Sequence, residues 1–485
     1  MEAGFILAID QSTSGTKALI LDSRAAIIAR ADKAHEQKIS PEGWISHDPM
    51  EIYYAALTAV REAVEKAGID KGAILGVGIS NQRETALVWD KDSGLPVKDA
   101  VVWQCARGAS ICENLGDHAD AVRAATGLRL SPYFSAAKIA WILEHSRGSA
   151  SKKLCAGTID SWLIFKLTGN CKTDYSNASR TQLFNINSLA WDRDICGLFG
   201  IDADILPEVC DSNADFGVAD FEGFLPRPVP IRGVLGDSHA ALFGQGCLEK
   251  GMGKATYGTG SSVMVNIGNK PVFCKNVVTS LAWGKGGSVD YVLEENINYT
   301  GAAIKWLADD LGLITSSEEA GALAAQANPA DKTYLVPAFS GLGAPYWKSE
   351  ARAILSGMTR ATGKAEIVRA AEDSIAYQIA DVIRVMAEES GVALKELRVD
   401  GGPTRDRYLM QFQSNILNIP LSVPGHEELS ALGAGCMAGM ALGFYSPAIL
   451  GETVRARFEP SMDEAERREH LEGWKEAVRL AIGVQ

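Results

Sequence analysis

Asp10-Gln11-Ser12-Thr13-Ser14-Gly15-Thr16-Lys17 lies between two apolar runs, Phe5-Ile6-Leu7-Ala8-Ile9 and Ala18-Leu19-Ile20-Leu21. Short apolar runs joined by small polar residues predict strand, tight turn, strand. The same unit returns half a chain later, where Ala255-Thr256-Tyr257 leads through Gly258-Thr259-Gly260-Ser261-Ser262 into Val263-Met264-Val265-Asn266-Ile267. Two such hairpins predict a duplicated α/β architecture of two large lobes, because 485 residues exceed what one ordinary core can hold.

Around the hairpins, apolar runs alternate with amphipathic stretches, the pattern of α/β layers. Ile375, Ile379, Val382, Ile383 and Met386 recur at helical spacing before Gly391, which predicts a helix with a glycine stop. Leu397-Arg398-Val399, then Asp400-Gly401-Gly402, then a helical Tyr408 to Leu417 predict a strand, a glycine turn and a helix N-terminus, an edge suited to an anion or nucleotide. The expected lobes are residues 1–248 and 249–485, divided near Gly244-Gln245-Gly246 and Gly251-Met252-Gly253.

Composition narrows the function. With 47% hydrophobic and 22% charged residues the chain has a globular profile, not a disordered one. Its net charge of −13 gives no global attraction to a phosphate backbone or an anionic lipid surface, so neither nucleic acid nor membrane is expected as a partner. Met1-Glu2-Ala3-Gly4 has no basic leader, and the uncharged stretch Leu429 to Gly451, rich in glycine, is expected to be a buried helix. Nine scattered cysteines without a C-x-x-C predict reduced thiols, no zinc site and a cytoplasmic location.

The first turn offers hydroxyls and backbone N–H groups to phosphate oxygens, with Asp10 at the strand end placed to hold magnesium through water. It is no Walker loop, since Lys254 and Lys364 are each followed by alanine, and no G-x-G-x-x-G stands between a strand and a helix. In Gly236-Asp237-Ser238-His239 the carboxylate of Asp237 suits a general base for an alcohol attacking phosphorus, although a helix cap needs the same residue type. Arg83-Glu84, after the strand Ile74–Ile79, offers a donor and an acceptor to neighbouring hydroxyls, or forms a plain ion pair. Trp103 and Tyr133 suit either a sugar platform or a core.

These stretches, with Val102-Trp103-Gln104-Cys105, Pro132-Tyr133-Phe134-Ser135, Thr173-Asp174-Tyr175-Ser176-Asn177-Ala178-Ser179-Arg180-Thr181, Gly341-Leu342-Gly343-Ala344-Pro345-Tyr346-Trp347 and Val399-Asp400-Gly401-Gly402, resemble the FGGY carbohydrate kinase family, its glycerol kinases most. The resemblance runs from residue 6 to about 445. It implies two actin-like (ribonuclease H-like) lobes with a central cleft, and transfer of the ATP γ-phosphoryl group to a primary hydroxyl with Mg2+. Carried over by position, Asp237 is the base, while Arg83, Glu84, Trp103, Tyr133, Asp237, Ser238 and Ser262 line the polyol pocket. Ser12, Thr13, Ser14, Lys17, Thr259, Gly260, Gly301, Lys305, Gly402 and Asp406 hold the nucleotide, and Asp10 the metal. Family members are commonly dimers or tetramers, so a homo-oligomer is expected.

Departures from the pattern fall where substrate is chosen. Ser238 replaces the usual Gln, and Ser262 the usual aromatic residue, which predicts a roomier, more hydrophilic pocket. Glycerol is the leading acceptor by motif, with erythritol, a pentitol, xylulose or ribulose as alternatives and a non-catalytic ATP-binding regulatory module as a remote one. Lys305 stands for Gln and Asp406 for Asn on the nucleotide side, leaving donor preference open. Pro226-Arg227-Pro228-Val229-Pro230 replaces the Gly-Thr-Arg loop that binds fructose 1,6-bisphosphate in some family members, so no such inhibition is expected.

Overall fold

The computed structural model describes residues 4–146, 153–450 and 454–483. Met1 to Ala3 and Gly451, on which part of the leader and buried-helix expectations rest, lie outside the described residues.

The first hairpin forms as its alternation demands, with β1 (Phe5–Gln11) and β2 (Gly15–Leu21) antiparallel. β3 (Ile27–Ala34) extends it antiparallel on β2, and β4 (Ile74–Asn81) runs parallel to β1 on the other side. The short β5 (Val218–Ala219) and β6 (Val229–Gly236) complete a six-stranded sheet of order β5-β6-β4-β1-β2-β3. β6 leads straight into α1 (Asp237–Gly244).

The second half repeats this plan. β7 (Met252–Tyr257) and β8 (Ser261–Gly268) form the second hairpin, followed by β9 (Val278–Lys285) and β10 (Ser288–Ile297). Then come α2 (Gly301–Asp309), α3 (Ser317–Ala324) and the long α4 (Lys364–Ser390), stopped by Gly391 at φ 67° in the left-handed region that glycine tolerates. β11 (Glu396–Gly401), α5 (Arg407–Leu417), β12 (Leu421–Pro424), α6 (Leu429–Ala441) and β13 (Val454–Phe458) close the order β9-β10-β8-β7-β11-β12-β13. In both halves a hairpin strand pairs parallel with a later strand, which pairs parallel with a third: β1-β4-β6 in one, β7-β11-β12 in the other. The fold is therefore two copies of one α/β unit, as the paired hairpins predict.

The helix after each third strand packs on the opposite sheet. α6 lies on β1, β4 and β6, where a Cβ on Gly78 or Gly233 would fall 2.2 or 2.4 Å from the Ala434 carbonyl oxygen. α1 places Leu242 and Phe243 among Met264, Trp283 and Val292 of the second half. The two helices cross at closest approach where Gly433 meets the Ala240 carbonyl, at a point that no side chain could enter. The uncharged run of α6 is thus explained by burial between sheets. Among the described residues no helix is long and apolar enough to cross a membrane.

Cys155 and Cys171 face each other with their Cα atoms 7.1 Å apart, beyond the usual span of a disulfide. Cys155 stands in the strand Leu154–Thr158 before the helix Ile159–Thr168, and Cys171 just beyond it, so the return of the chain brings the two together. Sixteen residues of separation concealed this proximity.

Candidate functional site

β4 ends at Asn81, and the next residues turn back on themselves. The Thr85 amide donates to the Arg83 carbonyl at 2.7 Å, and Glu84 takes φ 59°, a left-handed conformation costly for a side chain of its size. That turn sends Arg83 and Glu84 into the interior beside α1. Arg83 Nε lies 3.0 Å from Asp237 Oδ1, while its two terminal nitrogens donate to Glu294 at 2.8 and 2.7 Å. Arg180 donates from Nε to Glu84 Oε1 at 2.6 Å and lies 3.2 Å from Glu294 by Nη1. Two arginines and two glutamates, all buried, form one alternating cluster with Asp237 at its open edge. Burial works against the charge of Arg83, but Glu294, Glu84 and Asp237 hold its pKa well above the ordinary value. Burial likewise opposes ionisation of Glu294, and the two arginines overcome it, drawing its pKa far below the carboxylate range.

Asp237 occupies the first turn of α1, whose cap is Gly236, so it is not the capping residue. Its Oδ1 carries both contacts, from Arg83 and from the Ser238 amide at 2.6 Å, and the side chain is 38% exposed. Ser238 adjoins it, half-buried. On the facing sheet Ser262 pairs with Asn296 in register and Met264 with Glu294, which puts Ser262 on the face that carries Glu294. The Ser262 hydroxyl is buried without a hydrogen-bond partner among the described residues.

The aromatic pair converges. Trp103 and Tyr133 meet edge to face with centroids 5.6 Å apart, and Trp103 Nε1 donates to Thr13 Oγ1 at 2.9 Å, tying the platform to the first turn. The Tyr133 loop is held from below by Lys138, whose ammonium donates to the carbonyls of Pro132 at 2.6 Å, of Tyr133, and of Phe134 at 3.2 Å. Burial pushes the Lys138 pKa down to about 7.

In the first turn, Ser12 donates from both its amide and its hydroxyl to the Gly15 carbonyl, and Ser14 is exposed. Asp10 is buried opposite Lys17 in register and accepts from Ser80 Oγ at 2.8 Å. Burial raises its pKa to about 6 against the Ser80 hydrogen bond, with Asp237 adding to the rise. Lys17 is engaged by Glu428 at 2.7 Å.

The other predicted nucleotide residues gather elsewhere. Thr259, Gly301, Lys305, Gly402 and Asp406 line one cavity of about 1270 Å³ between α2, α3, α4 and α5. Ser12, Thr13, Ser14, Lys17 and Gly260 are not among its lining residues. The Gly301 amide donates to the Gly258 carbonyl at 3.0 Å, so Gly301 offers the cavity a bare α-carbon and not a free donor. Asp406 caps α5, accepting from the amides of Tyr408 and Leu409 at 2.8 and 3.1 Å. Lys305 is exposed near Asp309. Glu294, Arg180 and Lys138 were not singled out from sequence. Lys138 had a signal, as the lone charge in the apolar run Ala136 to Leu143, whereas Glu294 had none before the strands were paired.

The arginine cluster and the partly exposed Asp237 stand where the two repeated α/β halves meet, Arg83 coming from the first and Glu294 from the second. Residues 5–244 match the N-terminal domain, and 253–442 the C-terminal domain, of the FGGY family of carbohydrate kinases, and the chain belongs to this family. Glycerol kinase 1 of Thermotoga maritima is 47% identical, with 99% of each chain covered. Glycerol kinase of Alkaliphilus oremlandii is 45% identical over 99% of this chain and 97% of that protein. The crystal structure of Plasmodium falciparum glycerol kinase with ADP superposes with a TM-score of 0.94 at 33% identity, covering 99% of this chain and 98% of that one.

Proposed function

We propose that this carbohydrate kinase transfers the γ-phosphoryl group of ATP to a primary hydroxyl of glycerol, giving glycerol 3-phosphate and ADP. The observation that supports the reading is the Arg83–Asp237 contact at 3.0 Å, which sets a partly exposed carboxylate beside a buried arginine. Oδ2 of Asp237, which carries neither contact, accepts the hydroxyl proton as the new O–P bond forms and the bond from the γ-phosphorus to the bridging oxygen breaks, releasing ADP. Arg83 and Glu84 bind neighbouring hydroxyls, and Trp103 with Tyr133 forms the wall against the carbon chain. The hairpin turns and the cavity beside Thr259, Gly301 and Gly402 take the nucleotide.

The residues fit a magnesium ion, since Asp10 presents a buried carboxyl whose field is shared with Asp237 and whose only side-chain hydrogen bond among the described residues is from Ser80. Asp10 would hold it through water, and the ion supplies charge neutralisation on the phosphates. We further propose a cytoplasmic homo-oligomer, dimer or tetramer, divided into lobes at residues 248 and 249; sedimentation velocity reads the oligomer.

One observation favours a second acceptor. The buried, unpartnered hydroxyl of Ser262 and the short Ser238 leave polar room beyond a three-carbon substrate, which suits a four- or five-carbon polyol or ketose. A coupled ADP-release assay over glycerol, dihydroxyacetone, erythritol, pentitols, xylulose and ribulose decides: the highest kcat/KM names the substrate. Asp237→Asn should abolish turnover with ADP affinity within a few-fold of wild type, and retained turnover would remove Asp237 as the base.

A further inference from the structure

The nucleotide-side cavity contains a carboxyl group that nothing in the fold requires. Glu372, on α4, lines that cavity, is 2% exposed, and its Oε2 has no hydrogen-bond partner among the described residues. A buried polar atom left unpaired costs free energy that a ligand pairing it recovers. Its neighbours do not serve. Asp373 is taken by the Tyr408 hydroxyl at 2.8 Å, and Asp406 by the amides that it caps.

The phosphate end of the cavity is marked by Gly258 and Thr259 of the second hairpin turn. The same lining carries Ala324, Ile375 and Leu409, apolar surface against which a flat heteroaromatic ring can pack. We propose that Glu372 reads the base of the nucleotide donor, its carboxyl group pairing with the exocyclic amino group of a 6-aminopurine. Burial first, then Asp406 and Asp373, raise the Glu372 pKa well above the ordinary carboxylate range. A protonated carboxyl both accepts and donates, which matches an amino N–H beside a ring nitrogen.

This inference rests on the reading of the cavity as the nucleotide site. Initial rates of the full chain, with magnesium and saturating acceptor, are measured against ATP and against purine riboside 5′-triphosphate, which lacks the amino group. Glu372→Leu should raise KM for ATP about tenfold, the worth of one buried hydrogen bond, and leave the analogue within about threefold. Glu372→Gln, which keeps an acceptor and a donor, should stay near wild type with both. Equal changes for the two nucleotides, or none, overturn the proposal. A loss of the difference between ATP and 2′-deoxy-ATP instead would assign Glu372 to the ribose and overturn it too. Gly402→Trp separates the two readings, because Gly402 opens on the cavity with nothing within 4 Å of a Cβ. If calorimetry shows ADP binding to that variant unchanged, the cavity is not the nucleotide site; if binding is lost while Glu372→Leu fails to discriminate, only the base assignment falls.

Discussion

Arg83 and Glu294, 211 residues apart, are joined by two parallel hydrogen bonds of 2.8 and 2.7 Å between the end of β4 and the middle of β10. The pair links the two lobes at the proposed substrate clamp. Since both side chains are buried, Glu294 fixes where Arg83 points and leaves its Nε for Asp237. Removing one partner of such a pair strands a buried charge, at a cost of about 3–5 kcal/mol. Glu294→Ala is therefore expected to lower stability by that order in urea unfolding. Glu294→Gln should keep the fold and raise the acceptor KM more than it lowers kcat, since Arg83 loses its anchor but Asp237 remains.

How much of this was legible in the sequence follows from the range of the interactions. The two hairpins, the glycine-stopped α4 and the strand-turn-helix around Gly401 are local, so periodicity and turn residues reveal them. Arg83, Glu84, Trp103 and Tyr133 lie in short motifs that the sequence displays directly, and Trp103 meets Tyr133 at 5.6 Å. Glu294 follows the apolar run Tyr291-Val292-Leu293 like any strand-end glutamate, and only pairing of distant strands gives it two arginines. The exchange of α1 and α6 between sheets is invisible for the same reason.

The close approach of α1 and α6 makes a second prediction. A Cβ on Gly433 would fall 1.8 Å from the Ala240 carbonyl oxygen, a backbone atom that cannot swing aside. Gly433→Ala should cost at least the ~1–3 kcal/mol of an overpacked core and depress kcat by shifting the helix that carries Asp237. Gly197→Ala is the control, with nothing within 4 Å of the added carbon, and should leave melting temperature unchanged or slightly higher.

Lys138 gives a pH dependence with a defined sign. Its pKa falls from 10.5 in the unfolded chain to about 7 in the fold. Between those values the unfolded chain binds a proton that the native state does not, so this residue makes stability rise with pH from about 7 toward 10. Above about pH 7 the neutral amine has two N–H donors for three carbonyls, so the Tyr133 loop loosens and the acceptor KM should rise. Lys138→Met should flatten that part of the stability profile and show a raised KM at every pH. A KM that does not vary between pH 6 and 9 would separate the loop from the pocket.

Ser262 tests the size of the pocket most directly. Its buried hydroxyl has no partner among the described residues and shares a sheet face with Glu294, and a substrate hydroxyl is the partner we propose for it. Ser262→Ala removes an unsatisfied group, and the free protein should gain about 1 kcal/mol or more while the preferred acceptor binds more weakly. Ser262→Phe fills the same space. It should cut kcat/KM for four- and five-carbon acceptors at least tenfold relative to glycerol, about 1.4 kcal/mol of discrimination. If both variants leave the ranking of acceptors unchanged, the hydroxyl lies outside the substrate's reach, and acceptor choice rests with Ser238 and the aromatic wall of Trp103 and Tyr133.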